Sequence, residues 1–397
     1  MTRTVIYVSM SRLTDKIARD WYIDHLLEKG VPVEYWDVVS LLREEHSEQG
    51  ARNPNYLRVL RSYDELETRL REAENRDVLY VMLISYIGQF TRIFRVFSKY
   101  DCRMLFIAWG ALPTAPTLAW RRIVSVLANP WWYAREIFYI GKAGLLRKLK
   151  LVKPYEIVFA AGEALTARDH YAAKVVPINL CDYDNYIKVR GKRSRLVEGR
   201  YAVFLDINLP YHSDLVLCGQ PLIDPVAYYR SLNRFFSLLE QEHRVTVVIA
   251  AHPKADYDPA TFDGRQIHRL VTAELVKDAD LVVCHTSTAL SYAVLNAKPV
   301  IFVYTDAMAD AYRHGLLRHM RCHADYLGCP IVNSDQITRG ARIAPANVDL
   351  QRYERYKYSF LTTPESEQTS TQDVFLREIM AAADRGADRP QWIAAER

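Results

Sequence analysis

Three short apolar runs of β type stand out in the second half of the chain: Val245 to Ala250, Leu281 to Cys284, and Val300 to Tyr304. Each of the first two leads into a small polar cluster containing a histidine, and the third follows Lys298-Pro299. Strand, polar loop, helix, strand is the order of a parallel α/β layer, whose ligands collect at the carboxyl ends of the strands. Both clusters therefore fall where a ligand is expected. The first half repeats the rhythm. TVIYVSM reads as a buried strand, and Asp15 to Lys29 as a helix with Ile17, Trp21, Leu26 and Leu27 along one side, stopped by Gly30. VPVEYWDV, DVLYVMLIS and CRMLFIAW follow as strands, with a charged helix from Tyr63 to Asn75 between the first two. Pro154 to Ala160 and Lys174 to Ile178 complete a first domain, residues 1–180. The polar stretch 181–200, with Gly191 and Gly199, is expected to be a linker. A second domain, 201–397, opens with the strand of YAVFLDINLPYHSDL. Within it, Asp224 to His243 carries aromatics and leucines at core helical spacing, and a last helix, Thr371 to Ala382, is expected in it or crossing back to the first domain.

The second polar cluster, His285-Thr286-Ser287-Thr288, precedes ALSYAVLNA, a helical pattern of good helix formers. Hydroxyl side chains at a helix start cap its free amides, and those amides with the helix dipole make a site for phosphate. His252 follows the neighbouring strand, and Pro253 stiffens the turn that presents its ring. An imidazole donates to a phosphate oxygen, more strongly when charged. Together the clusters read as a phosphate or pyrophosphate clamp; a capped helix and a turn histidine are the plainer alternative. Thr272 and Glu274 open the short helix running to Asp280 and are placed for contacts to a base or ribose. Their alternative is a helix start, with Thr272 as cap and an acid in the first turn. Asp206, His212 and Asp214 lie after the second domain's first strand, where a carboxylate near a histidine can supply general acid or base catalysis. Ordinary turn chemistry is the alternative there. In the first domain, Ser85-Tyr86-Ile87-Gly88-Gln89 and Gly110-Ala111-Leu112-Pro113 end strands in the same way and are expected to bind an acceptor.

Composition adds bounds. At 397 residues, half hydrophobic and a quarter charged, the chain has room for two domains with separate cores. A net charge of +5 is mild and selects no partner. The six cysteines (Cys102, Cys181, Cys218, Cys284, Cys322, Cys329) contain no C-x-x-C, so neither a zinc site nor a disulfide framework is expected, and a cytoplasmic setting fits. MTRTVIYVSMSR lacks the long apolar core of a signal peptide, and no spanning helix is expected. His314, His319 and His323 do not share one helical face, so no metal site is expected of them. Segment 112–153 stands apart. It holds Trp120, Trp131, Trp132, Tyr133, Phe138 and Tyr139 among Arg121, Arg122, Arg135, Lys142, Arg147, Lys148, Lys150 and Lys153, with Glu136 its only acid. Such a mixture suits peripheral contact with anionic lipid headgroups. No nucleic-acid module accompanies it, so nucleic acid is not an expected partner. The alternative is that the tryptophans pack inside the first domain and the cations form its solvated rim.

A His-Pro after one strand, then L-x-x-x-A-D, an apolar strand, a Ser/Thr pair, a helix, Lys-Pro and a further strand resembles the nucleotide-binding domain of GT-B glycosyltransferases. The residues are His252, Pro253, Leu275, Ala279, Asp280, Ser287, Thr288, Lys298 and Pro299. The pattern is most similar to bacterial enzymes that use cytidine nucleotides: sialyltransferases, Kdo transferases, and the CDP-glycerol glycerophosphotransferases of teichoic acid synthesis. UDP-sugar 2-epimerases share the domain plan but carry a Ser-Gly-Gly turn and a Glu pair, where this chain has Ser287-Thr288-Ala289. The resemblance implies an α/β fold of two Rossmann-like domains of GT-B type with an interdomain cleft. It also implies a CMP-linked nucleotide-sugar donor as substrate, with no cofactor, and a glycan or glycolipid acceptor of lipopolysaccharide or capsule synthesis. No D-x-D motif lies at a suitable strand end, so transfer is expected to be metal-independent. The place implied is the inner face of the bacterial inner membrane, reached through 112–153. A CDP-polyol phosphotransferase, a UDP-sugar transferase or epimerase, and a non-catalytic binding protein remain as alternatives.

Overall fold

The structure, a computed structural model, describes residues 3–42, 51–73, 77–109, 113, 130–164, 171–193, 195–212, 221–253, 255–312, 315–338, 340, 342–345 and 347–384. They form two compact units, one of residues 3–109, 130–178 and 365–384, the other Asn179–Pro364. The first is built on β1 (Thr4–Ser9), β2 (Val33–Asp37), β3 (Leu57–Val59), β4 (Val78–Met82), β5 (Met104–Ala108), β6 (Tyr155–Ala161) and β7 (Ala172–Ile178), ordered β3-β2-β1-β4-β5-β6-β7. The second is built on β8 (Tyr201–Leu205), β9 (Thr246–Ala251), β10 (Ile267–Arg269), β11 (Leu281–Cys284), β12 (Val300–Tyr304) and β13 (Ile331–Asn333), ordered β10-β9-β8-β11-β12-β13. Every pairing within both sheets is parallel. The order reverses between β1 and β4 and between β8 and β11. Doubly wound sheets bind ligands outside the carboxyl ends of the strands at such a point.

Helices on both faces explain the unbroken apolar strands. Along β8, Tyr201, Val203 and Leu205 enter the core on one face, with Leu275, Leu290 and Met320. Ala202 and Phe204 enter the core on the other, with Leu232, Phe235, Phe236 and Leu239 of the Pro225–His243 helix. That helix starts where its sequence says it should: Asp224 accepts from the amides of Val226 and Ala227 (3.0 and 3.3 Å), with Pro225 in the first turn.

Two elements differ from the sequence reading, and a third decides between its two alternatives. The helix expected over Asp15 to Lys29 is two, Asp15–Asp20 and Ile23–Glu28, because Tyr22 sits in the left-handed region (φ 60°) and the Tyr7 hydroxyl donates to the Trp21 carbonyl (2.8 Å). The stretch 181–200 is not all linker. Its first half is the Cys181–Arg190 helix, with acids in the first turn and bases in the last, a charge order that suits the helix dipole. The helix docks through buried Tyr183 and Val189, and its Asp182 accepts from the Ser291 hydroxyl (2.6 Å). The Thr371–Asp384 helix belongs to the first unit. Arg3 and Arg103 donate to its Ile379 and Ala382 carbonyls (2.6 and 2.8 Å), and Phe375 packs edge-on against Phe159 of β6.

Close backbone contacts hold the Pro130–Lys148 helix on the first unit. A Cβ on Gly88 would lie 2.2 Å from the Tyr139 carbonyl oxygen, and the Tyr86 hydroxyl donates to the Ala143 carbonyl (3.0 Å). Backbone cannot swing aside as a side chain can, so Gly88→Ala must push the helix away. The expected result is a loss of about 1–3 kcal/mol, as for overpacked sites, with faster amide exchange along this helix. Unchanged exchange there would show that the close approach is not needed.

Candidate functional site

Register places Leu205 of β8 between Ala250 of β9 and Cys284 of β11. The residues that follow, Asp206, His252 and His285, therefore emerge at one edge of the sheet, with neighbouring strands about 5 Å apart. Asp206 is 5% exposed and holds the edge together. Its Oδ1 accepts from the Asn208 amide (2.9 Å), and its Oδ2 accepts from the His252 amide (3.2 Å) and the Tyr257 hydroxyl (2.5 Å). Burial raises its pKa, and the hydrogen bonds it accepts pull the other way. Asp206 was expected to be an acid or base facing substrate; both its oxygens are instead spent on these two loops, a positioning role.

Tyr257 also approaches the Asn208 side chain (3.2 Å) and packs edge-on against Phe262 (5.1 Å), so the loop carrying His252 is anchored at both ends. Asn208 itself takes a left-handed conformation (φ 52°), which asparagine tolerates better than most residues. The anchored loops bring two sequence-predicted residues together: the His212 and His252 rings lie 5.7 Å apart, tilted by 51°. Both are half-buried, and Pro253 beside them is exposed. Asp214 lies outside the described residues.

At the end of β11, Thr286 and Ser287 are half-buried and Thr288 is exposed. The Ser287 hydroxyl accepts from the Ala289 amide (3.2 Å), which shapes the turn. The Leu290–Leu295 helix begins after it with no side-chain cap, so the capping expected of these hydroxyls is replaced by a turn that leaves Thr288 outward. His285 is a correction. Its ring is fully buried, with Nδ1 2.5 Å from the Val303 carbonyl and Nε2 2.6 Å from the Tyr228 hydroxyl. A carbonyl only accepts, so Nδ1 carries the proton and Nε2 accepts from Tyr228. Burial lowers the ring's pKa to about 4 and keeps it neutral. The ring has no face left for a ligand and serves the core.

Thr272 is half-buried at the start of the Thr272–Asp278 helix, whose cap residue is Val271, without a side-chain bond. Glu274 pairs with Lys192 (3.2 Å), a partly exposed ion pair of little energetic weight. Its contact is therefore to protein. Among the described residues, no group of three or more His, Cys, Asp or Glu side chains is arranged to hold a metal ion. In the first unit, the loop after β4 alternates: Ser85, Ile87 and Gln89 are exposed, while Tyr86 and Gly88 are buried. The Tyr155 hydroxyl holds it, accepting from the Tyr86 amide (3.1 Å) and donating to the Ile84 carbonyl (3.3 Å). The second loop expected to bind an acceptor, 110–113, lies outside the described residues except for Pro113.

Sequence reasoning missed Tyr257, Asn208 and Tyr228. Tyr257 was visible as a lone aromatic in the polar run HPKADYDP, whereas Tyr228 reads only as one more member of a core stripe.

Two parallel sheets of this order, each covered by helices on both faces, define the fold of the GT-B glycosyltransferases. CalG4, the calicheamicin glycosyltransferase, has this fold at a TM-score of 0.52 and 12% identity, over 98% of this chain and 99% of that one. Two variants of the wall teichoic acid polymerase TagF match at TM-scores of 0.50 and 0.51 and 10% identity, over 98% and 97% of this chain and 90% of each of theirs. No family model matches the chain, and no curated protein sequence matches it.

Proposed function

We propose that the chain is a transferase that takes its donor as a nucleotide conjugate, with the donor phosphates at the carboxyl ends of β8, β9 and β11. The observation that carries this reading is the approach of His212 to His252, at 5.7 Å, on loops held by the buried Asp206 at a topological switch point. Two imidazoles, with the exposed Thr288 hydroxyl after β11, supply donors for phosphate oxygens, and such donors stabilise the charge that builds as a nucleotide phosphate departs. Domain roles follow: the second unit, Asn179–Pro364, binds the donor, and the first unit binds the acceptor through the exposed Ser85 and Gln89.

The donor we favour is a CMP-activated ulosonic acid, such as Kdo or a sialic-acid-like sugar, and the acceptor a glycan or glycolipid of the bacterial surface, lipopolysaccharide or capsule. Support comes from the likeness of His252-Pro253 and Ser287-Thr288 to the motifs of cytidine-nucleotide enzymes. An acceptor hydroxyl attacks the anomeric carbon, its proton passes to a base, and CMP leaves with its phosphate. The leaving charge is met by protein donors and needs no divalent ion. A lipid-linked acceptor puts the reaction at the cytoplasmic face of the inner membrane. The fold likeness to TagF favours a second reading, transfer of a polyol phosphate from a CDP donor. CMP leaves there too, but one phosphorus stays on the product.

A thermal-shift panel of CMP, CDP, UDP, GDP and ADP tests the reading. Preferential stabilisation by CMP or CDP is expected, about 2.7 kcal/mol at a hundredfold excess over Kd. Stabilisation by UDP alone would move the reading to a hexose transferase or an epimerase, and none by any nucleotide would end it. Phosphorus NMR of the product then separates the two cytidine readings.

A further inference from the structure

The Pro130–Lys148 helix docks on the first unit by one face only. Ala143 is buried, and the Arg147 guanidinium lies over the Tyr86 and Tyr171 rings at 4.6 and 4.5 Å. Away from Ala143 the helix is apolar and uncovered: Trp131 is 88% exposed and Phe138 62%, with Leu145 and Leu149 continuing the row, while Ile137 (66%) and Ile140 (70%) are exposed on its flank. Spacings of three, four and seven residues put Trp131, Ala134, Phe138, Gly141 and Leu145 on one stripe. Arg135 and Lys142 flank that stripe, with Lys148 and Lys150 at its end, all exposed and none recorded in an ion pair among the described residues. Segment 112–153 therefore divides differently from its sequence reading. Lys153 pairs with Asp101 (2.5 Å), Arg147 is committed to aromatic rings, and the lipid-facing character falls on side chains of this one helix face.

We infer that this face is a docking surface for an anionic lipid bilayer, lying in the interface with its apolar stripe toward the acyl chains. Uncovered apolar groups in this number mark an interaction surface. An unpaired cationic rim selects an anionic partner, and rings and aliphatic groups beside the cations suit the depth of the headgroups. No helix among the described residues is long and apolar enough to cross a membrane, which leaves lying on the surface as the mode. The inference concerns the first unit alone and does not depend on which nucleotide the second unit takes.

Flotation of the full-length protein with vesicles of phosphatidylcholine, alone or mixed with phosphatidylglycerol, tests it. Binding is expected to the mixed vesicles, to be lost at about 1 M salt where the screening length falls to about 3 Å, and to be absent on phosphatidylcholine. Phe138→Glu with Ile140→Glu is expected to weaken binding at least about tenfold, and each of Arg135→Gln and Lys142→Gln about fivefold at low salt. These side chains are all exposed, so melting temperature and nucleotide-induced shifts are expected to stay at wild-type values. Equal binding by the Phe138→Glu, Ile140→Glu protein overturns the inference. So does a wild-type protein that ignores vesicles and dimerises, with the same variant monomeric, since a second copy then covers the face.

Discussion

Asp206→Ala is expected to cost the second unit about 3–5 kcal/mol and to remove nucleotide binding from whatever folds. The carboxylate is the common acceptor for the Asn208 amide, the His252 amide and the Tyr257 hydroxyl, in surroundings that leave it 5% exposed. A buried donor left without an acceptor costs about 1–3 kcal/mol, and three donors lose theirs at once, partly repaired by water entering the space. Asp206→Asn keeps one acceptor oxygen but turns an amide donor toward the other partners, so a loss of about 1–3 kcal/mol is expected. All seven tryptophans lie outside Asn179–Pro364, so tryptophan fluorescence follows the first unit while circular dichroism follows both. The predicted signature in urea is a dichroism transition that moves to lower denaturant further than the fluorescence transition does. Equal stability of Asp206→Ala and wild type would mean that the loops hold without the carboxylate.

Acidification is expected to weaken the same unit through two buried histidines. Burial lowers the pKa of His285 to about 4, and burial with the neighbouring His319 lowers that of His323 to about 4. A histidine in the unfolded chain titrates near 6.5. Between those values the unfolded state binds the proton that the folded state refuses, so stability is full above about pH 6.5 and falls as pH drops toward about 4. By pH 5 each ring is expected to cost about 2 kcal/mol. Asp206 acts oppositely. Its raised pKa lets the folded state hold a proton more readily, a contribution present at low pH and lost as pH rises through that folded value. His323→Phe should remove about half of the histidine effect, since the ring's polar contact is the Tyr356 hydroxyl at 3.2 Å and phenylalanine fits a similar volume. Urea midpoints from pH 7 to 5 measure the slope. A flat profile for wild type would mean that neither ring is held neutral.

Much of this was legible in the chain, and the failures have causes. Long buried strands announce themselves because both faces of a parallel sheet are covered, which is why β1, β4, β8, β9, β11 and β12 stand out as apolar runs. The edge strands β3, β10 and β13 have three residues each and carry too little pattern to be seen. The helix in 181–200 was hidden because only Tyr183 and Val189 of its ten residues are buried, although its acids and bases were in order from the start. At the site, the histidines were read correctly as residues at strand ends but not by environment. His252 and His285 look alike in sequence, each after an apolar strand. One is half-exposed at the edge, while the other is driven inward by a hydroxyl supplied 57 residues away. Tertiary partners of that kind are invisible to local pattern.

The most direct test of the donor site is a calorimetric titration of the nucleotide that stabilises wild type best, repeated on His252→Ala. At least about tenfold weaker binding is expected, with the loop still in place because Asp206 holds it through the His252 amide and the Tyr257 hydroxyl. Equal affinity in the two proteins would contradict it, and the phosphates of any bound nucleotide would then have to lie elsewhere.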